Sequence, residues 1–206
     1  MSGVKRKTTK AKPPPPEPPK DDEGAREKMI AGAAQLLASR GLQGTSFSEI
    51  LALTGAPRGS VYHHFPGGKD DVVKAALDYV SAQMSRVIEA KAGAPAEEIT
   101  ALFLKIWRSV LSRSQLQSGC AIVAVTVATD SRDLLHHVAG IFRGWRKRLA
   151  ELLAQGGLTP SEASSFAATL IAASEGAVIL SRGEQSLEPF ELVAAQMMER
   201  VRQLSS

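Results

Sequence analysis

The sequence predicts an all-α protein of about nine helices, and three observations carry that prediction. Apolar residues recur at three- and four-residue spacing from Met29 onward, the period of a helix with one buried face. Helix start signals punctuate the pattern. The most complete is Thr159-Pro160-Ser161-Glu162, where an N-cap, a proline at the first helical position and a glutamate at the third coincide. The one stretch with strand composition, Cys120 to Ala128 (CAIVAVTVA), has no second such run to pair with. A lone strand leaves backbone groups unsatisfied, so the stretch is read as a short buried helix.

Charge divides the chain. The 206 residues are 44% apolar with a net charge of +4, yet residues 1 to 20 alone carry six bases against one acid, so the rest sums to −1. That first stretch, with Pro13 to Pro16, Pro18 and Pro19, has nothing apolar to bury, and residues 1–23 are expected to form a disordered or polyproline-like basic tail. Two readings of it stand side by side: an arm on DNA phosphates that raises affinity in a salt-dependent way, or a solubilising extension. No apolar run approaches the ~20 residues that cross a bilayer, and the charged N-terminus lacks the apolar core of a signal peptide. A soluble, cytoplasmic protein with no membrane partner is therefore expected, and the single cysteine, Cys120, fits a reducing compartment.

The elements follow in order. Helix 1 is expected from about Ala25 to Ser39, with Met29, Ile30, Ala33, Leu36 and Leu37 as its stripe and Gly41 closing it. Helix 2 begins after Ser46-Phe47-Ser48-Glu49, a capping box in which Ser46 accepts from a free N–H and Glu49 reaches back. Gly55 leaves that helix with positive φ, and Pro57 suits the first turn of helix 3, expected from Pro57 to Phe65. Helix 4 starts near Lys69 with Asp70 and Asp71 at its positive end and runs to Ala92-Gly93-Ala94-Pro95, long enough to act as a lever. Helix 5 follows Pro95 with Ile99, Leu102, Phe103, Ile106, Val110 and Leu111 inward and Trp107 beside them. Helix 7 opens at Asp130 or Ser131 and turns Leu134, Leu135, Val138, Ile141, Phe142, Trp145, Leu149, Leu152 and Leu153 inward; Arg143, Arg146, Lys147 and Arg148 read as its solvated surface. Helix 8, from Pro160, is rich in alanine and glycine, and helix 9 starts near Glu188. Together helices 8 and 9 hold more apolar surface than one bundle needs, which predicts a homodimer through these two helices.

The stretch Phe47 to Asp71 reads as a helix-turn-helix. Val61 and Phe65, four residues apart, bury helix 3 against helix 2 and turn Gly59, Ser60 and His63 outward, with Tyr62 at the rim. Glycine inside a helix costs about 1 kcal/mol relative to alanine, but Gly59 permits close approach to another surface, and a DNA groove is such a surface. Arg58 and Ser60 are the candidates for base edges, since a bidentate arginine contact to guanine is the commonest specific one. Tyr62, His63, Lys69, Thr45 and Ser46 are the candidates for phosphate. The implied partner is a near-palindromic duplex read by a symmetric pair.

These residues also resemble a known family. A glycine turn followed by R-G-S-V-Y-H-H-F and then G-K is similar to the DNA-binding domain of the TetR family of bacterial transcriptional regulators. The P-G-G-K-D after Phe65 resembles the branch typified by lincomycin- and flavonoid-responsive repressors. The likeness covers about Arg26 to Val80, with Pro57 where the family often has serine and His63 where it often has tyrosine or tryptophan. It implies a DNA-binding domain over 24–70, with helix 4 as the link, and a ligand-binding and dimerisation domain over 71–206. It further implies a small-molecule effector pocket, for which Phe103, Trp107, Phe142, Trp145 and Phe166 are candidate walls and Glu175 a candidate polar anchor.

Rival functions find less support. The adjacent pairs His63-His64 and His136-His137 lie about 100° apart on a helix and cannot chelate as an i, i+4 pair does. Asp133-x-x-His136 has bundle-metal spacing but no matching pair on another helix. No phosphate-binding glycine loop or cysteine cluster is present, so neither catalytic residue nor metal nor cofactor is expected. A ligand-independent DNA-binding protein remains the alternative, set against more than a hundred C-terminal residues that DNA binding alone does not require.

Overall fold

The computed structural model describes residues 21–205; the tail expected over residues 1–23 lies outside them except for 21–23, which belong to a helix and not to a disordered tail. Nine α-helices make up the described chain: α1 (Asp21–Arg40), α2 (Phe47–Thr54), α3 (Ser60–His64), α4 (Lys69–Glu89), α5 (Ala96–Arg113), α6 (Ala121–Ala128), α7 (Arg132–Gln155), α8 (Pro160–Glu184) and α9 (Glu188–Ser205). No strand occurs among the described residues. The strand-like run from Ala121 is helical, as its lack of a pairing partner requires, and buries Ala121, Ile122 and Val125.

Two boundaries differ from expectation. α1 is already helical at Asp21, the first described residue, ahead of the start expected near Ala25. α3 begins only at Ser60, so Pro57 and Arg58 stand ahead of it and Gly59 is its N-cap with φ −69° and ψ −24°. A glycine is a poor interior residue and offers no capping side chain, and the helix forms after it.

A core of α1, α2 and α3 gathers Met29, Ala33, Leu37, Ile50, Val61 and Phe65, all buried. It continues through Val73, Ala76 and Leu77 of α4 into the C-terminal bundle. There α7 packs on α8, α8 on α9, and α5 touches α7, α8 and α9. Being enclosed on three sides, α5 buries a wider arc than one stripe: Leu104 and Trp107 are inside with Phe103, while Ile106 and Val110 are half-buried. Leu135, expected inward on α7, is exposed, since it points about 100° away from the buried Leu134.

α8 carries a full capping box between Thr159 and Glu162, as its sequence predicts. It has 25 residues and includes an 18-residue window of mean hydropathy 1.5, enough by length and composition to cross a membrane and more than the sequence reading allowed. Half of that window is buried within the bundle, which makes it a core helix. Its outer side leaves Ala172, Ile179 and Leu180 exposed, and Leu192 is exposed on α9.

α4 and α7 run in the same direction and are joined by a ladder of polar links. Ser131 donates to Asp70 (3.1 Å), Lys74 pairs with Asp133, His137 meets Asp78 (2.8 Å), Trp145 Nε1 donates to Ser81 (3.0 Å), and Arg148 forks onto Glu89. A second bridge between the two halves is made by backbone: Gly119 N–H donates to the Ala38 carbonyl of α1 at 2.9 Å.

Candidate nucleic-acid interface and bundle core

The helix-turn-helix is fixed from several sides. Ser46 Oγ accepts from Glu49 N–H at 3.2 Å, but Glu49 does not complete a capping box; its carboxylate pairs with Arg40 of α1 at 2.5 Å. That exposed pair links α2 to α1. Gly55 has φ 68°, and its N–H caps Leu51 O, as expected. Val61 and Phe65 are both buried, and the Arg26 guanidinium of α1 lies 5.6 Å from the Phe65 ring centre. After α3, a Cβ at Gly67 would meet the Asp71 carboxylate at 2.4 Å and force that side chain to move, and Gly68 is favoured by its φ of 81°. Gly67 N–H donates to that carboxylate at 2.6 Å and closes the turn into α4.

On this frame Arg58, Gly59, Tyr62 and His63 are exposed on one side. Tyr62 is 72% exposed and rests edge-on against Phe47, ring centres 6.0 Å apart, which positions its hydroxyl without burying it. Gly59 has ordinary helical φ and nothing within 4 Å of where a Cβ would be. Neither backbone strain nor internal packing demands glycine there. Ser60 belongs to α3, but its side chain lies outside the described residues.

One phosphate candidate is corrected, and a second has a structural partner as well. Thr45 is completely buried and its hydroxyl donates to the Gly41 carbonyl at 2.8 Å, so it closes the α1–α2 corner and does not reach the surface. Lys69 donates to the Leu42 carbonyl at 2.7 Å and is half-buried; it first pins the start of α4 to the α1–α2 loop, leaving two ammonium protons for any other acceptor.

The six residues predicted to line an effector pocket do not share one cleft. Trp145 lines an open cleft of about 490 Å³ between α4 and α7 with Asp78, Ser81, His136, His137 and Ile141. Phe142 is half-buried and stands perpendicular to Trp145, ring centres 6.1 Å apart. Phe166 lines a smaller cleft of about 270 Å³ between α8 and α9. Phe103, Trp107 and Glu175 line neither of these and are buried in the bundle. The basic residues Arg143, Arg146 and Lys147, expected as solvated surface, are exposed along a groove of about 520 Å³ between α7 and the start of α8.

Glu175 is the unusual group. It is 8% exposed, and neither carboxylate oxygen meets a nitrogen or oxygen donor; the Cys120 thiol is its polar neighbour. Burial pushes its pKa up to about 7, only partly offset by the neighbouring Cys120 thiol. Cys120 in turn is driven well above the ordinary thiol range by burial and by the Glu175 charge, which makes it an unreactive thiol. Trp107 Nε1 and Ser174 Oγ are also buried without partners. The sequence signalled Glu175 as a lone acid in an apolar helix, but Trp107 and Ser174 carried no such signal. No cluster of His, Cys, Asp or Glu that could hold a metal occurs among the described residues. Asp133, with its bundle-metal spacing to His136, is held by Lys74, which lowers its pKa.

A short helix exposing tyrosine and histidine, with an exposed arginine and glycine in the turn ahead of it, set on a helix-turn-helix and joined by a long helix to a helical bundle, defines a helix-turn-helix DNA-binding regulator. Comparison with known proteins resolves the family. Residues 29–76 match the family described as bacterial regulatory proteins, tetR family, and residues 95–196 match the C-terminal domain described as transcriptional regulator LmrA/YxaF-like. The chain is 35% identical over 183 residues to the uncharacterized HTH-type transcriptional regulator Rv0196 of Mycobacterium tuberculosis, covering 85% of this chain and 93% of that one. It is 30% identical over 171 residues to the HTH-type transcriptional regulator LmrA of Bacillus subtilis, covering 80% and 90%. Among solved structures, a TetR transcriptional regulator from Chloroflexus aurantiacus shares 28% identity with a TM-score of 0.72, covering 89% of this chain and 96% of that one. The chain belongs to the TetR family of transcriptional regulators.

Proposed function

We propose that this protein is a cytoplasmic repressor that binds a near-palindromic operator as a homodimer and is released from it by a small, apolar or aromatic effector. The observation that carries the DNA-reading part is the exposed face of Arg58, Gly59, Tyr62 and His63 on a rigidly anchored α3. Arg58 and Ser60 read base edges, and Tyr62, His63, Ser46 and the spare protons of Lys69 hold phosphates. Residues 24–70 form the DNA-binding unit and 71–206 the effector and dimerisation unit. The exposed Ile179, Leu180 and Leu192 with the small Ala172 support pairing of α8 and α9 with a second copy. Repression is supported by a partial relative, the HTH-type transcriptional repressor KstR2 of Mycolicibacterium smegmatis, 29% identical over 91 residues and covering 43% of this chain and 44% of that one.

Release works through the joints between the two units. α4 is rooted in the DNA-binding unit by Lys69 and linked along its length to α7 by polar contacts. Such contacts can exchange partners in register more readily than an interlocked apolar seam can slide. An effector that favours one position of α4 favours one separation of the two recognition helices, and only one separation matches successive major grooves, roughly 34–36 Å apart. Titrating an identified effector against free protein and against the protein–operator complex tests this reading. Weaker binding to the complex is expected by reciprocity; equal affinities would rule the mechanism out.

A further inference from the structure

We propose that the buried carboxylate of Glu175 is the binding contact for a cationic amine carried on an apolar or aromatic body, and that this is the chemical class of the effector; the inference rests on the bundle being effector-responsive. Four polar atoms in the C-terminal bundle have no nitrogen or oxygen hydrogen-bond partner: Trp107 Nε1 on α5 and Ser174 Oγ, Glu175 Oε1 and Glu175 Oε2 on α8. α5 and α8 pack against each other. Buried polar groups in folded proteins are ordinarily satisfied, and the two Glu175 oxygens meet no nitrogen or oxygen donor, only the Cys120 thiol, which leaves their accepting capacity largely unused. Of the four, three are acceptors or can accept, and the two on Glu175 belong to an acid.

The missing complement is a positive charge. The carboxyl is perturbed by its own burial and by the Cys120 thiol, and no cation contributes. Leaving a carboxylate buried without a counter-charge is costly, and an ammonium donating to both oxygens removes that cost while forming charge-assisted hydrogen bonds. The surrounding bundle is apolar, with Phe103 and Trp107 buried on α5, so the remainder of such a ligand is apolar or aromatic. Because Glu175 is closed to solvent, entry requires the helices around it to part. Cys120 adjoins Gly119, whose N–H holds the Ala38 carbonyl of α1, so displacement there acts directly on the DNA-binding unit.

The test uses the full chain with three probes of one shape: 2-phenylethylamine, the neutral 2-phenylethanol and the anionic 3-phenylpropionate. Calorimetric titration at pH 6.5 should give the amine roughly tenfold tighter binding than the alcohol, with proton release as Glu175 ionises. In Glu175→Gln that preference and the proton release should both disappear, with the alcohol's affinity kept; retained alcohol binding shows that the variant is folded. Equal binding of amine and alcohol, or preference for the anion, overturns the amine assignment and leaves effector release standing. Absence of binding by all three at millimolar concentration also overturns it. Operator release by the alcohol, measured separately by fluorescence anisotropy, tests the underlying reading independently of charge.

Discussion

Replacing Glu175 by glutamine should change how stability depends on pH, and the size of the change can be worked out. In the unfolded chain this carboxyl loses its proton near 4.5, and in the folded chain near 7, because burial disfavours the charged form. Between these values the folded state holds the proton that the unfolded state has lost. Stability therefore falls as pH rises through that window; the contribution is fully present below 4.5 and gone above 7. At about 1.36 kcal/mol per pH unit, the difference amounts to roughly 3 kcal/mol. For a chain of this length that corresponds to a melting-temperature shift of about 6–12 °C. Urea unfolding of wild type and Glu175→Gln at a series of pH values from 5 to 8, at one fixed protein concentration, isolates the effect. Glutamine keeps the shape and the buried polar atoms, so the informative quantity is the difference in slope, not the absolute stability. Wild type should lose its advantage over the variant as pH rises toward 7 and then run parallel to it. Parallel curves across the whole range would refute the premise that the carboxylate is unpaired and desolvated.

Other substitutions probe the interface and its supports. Arg58→Ala should relax preference at one base position by about 1–3 kcal/mol in competition binding against single-base operator variants; a loss equal for every sequence would contradict base reading. Lys69→Ala should weaken all sequences alike and lower the salt slope by about one, and it should also lower the melting temperature, because Leu42 O loses its donor. Gly67→Ala should destabilise by more than an ordinary surface change, since its Cβ would displace the Asp71 carboxylate that accepts Gly67 N–H; thermal melting checks this, and an unchanged midpoint would show that the turn rearranges freely. Trp145→Ala removes the α7 donor to Ser81 of α4 and should change how strongly effector binding lowers operator affinity, read by anisotropy in parallel titrations.

Local signals were legible where the partner of a residue lies within one turn or one corner. The i, i+4 pair Val61 and Phe65, the positive φ of Gly55, and the capping box at Thr159 all follow from neighbours in sequence. The failures share a cause: they depend on groups far along the chain or on competition between two local rules. Glu49 had a reachable cap at Ser46 but found Arg40 instead, and Thr45, plausible as a surface hydroxyl, is fully buried with its hydroxyl on Gly41 O. Pro57 favours a helix start and Gly59 opposes a helix interior, and the glycine decided where α3 begins. Periodicity marks Asp70, Lys74 and Asp78 of α4 as polar without showing what a polar side chain will meet. Their partners, Ser131, Asp133 and His137, stand about sixty residues away. The candidate pocket suffered similarly: aromatic content placed Phe103, Trp145 and Phe166 in one bundle, but not on one wall.

Selection of bound sequences from fragmented genomic DNA by the purified full-length protein tests the central claim most directly. The account predicts enrichment of a near-palindrome whose half-sites are centred about one helical turn, roughly 34–36 Å, apart or a multiple of it, bound by an even number of chains and lost in Arg58→Ala. Recovery of DNA without a shared motif, by a protein that remains monomeric at micromolar concentration, would contradict it.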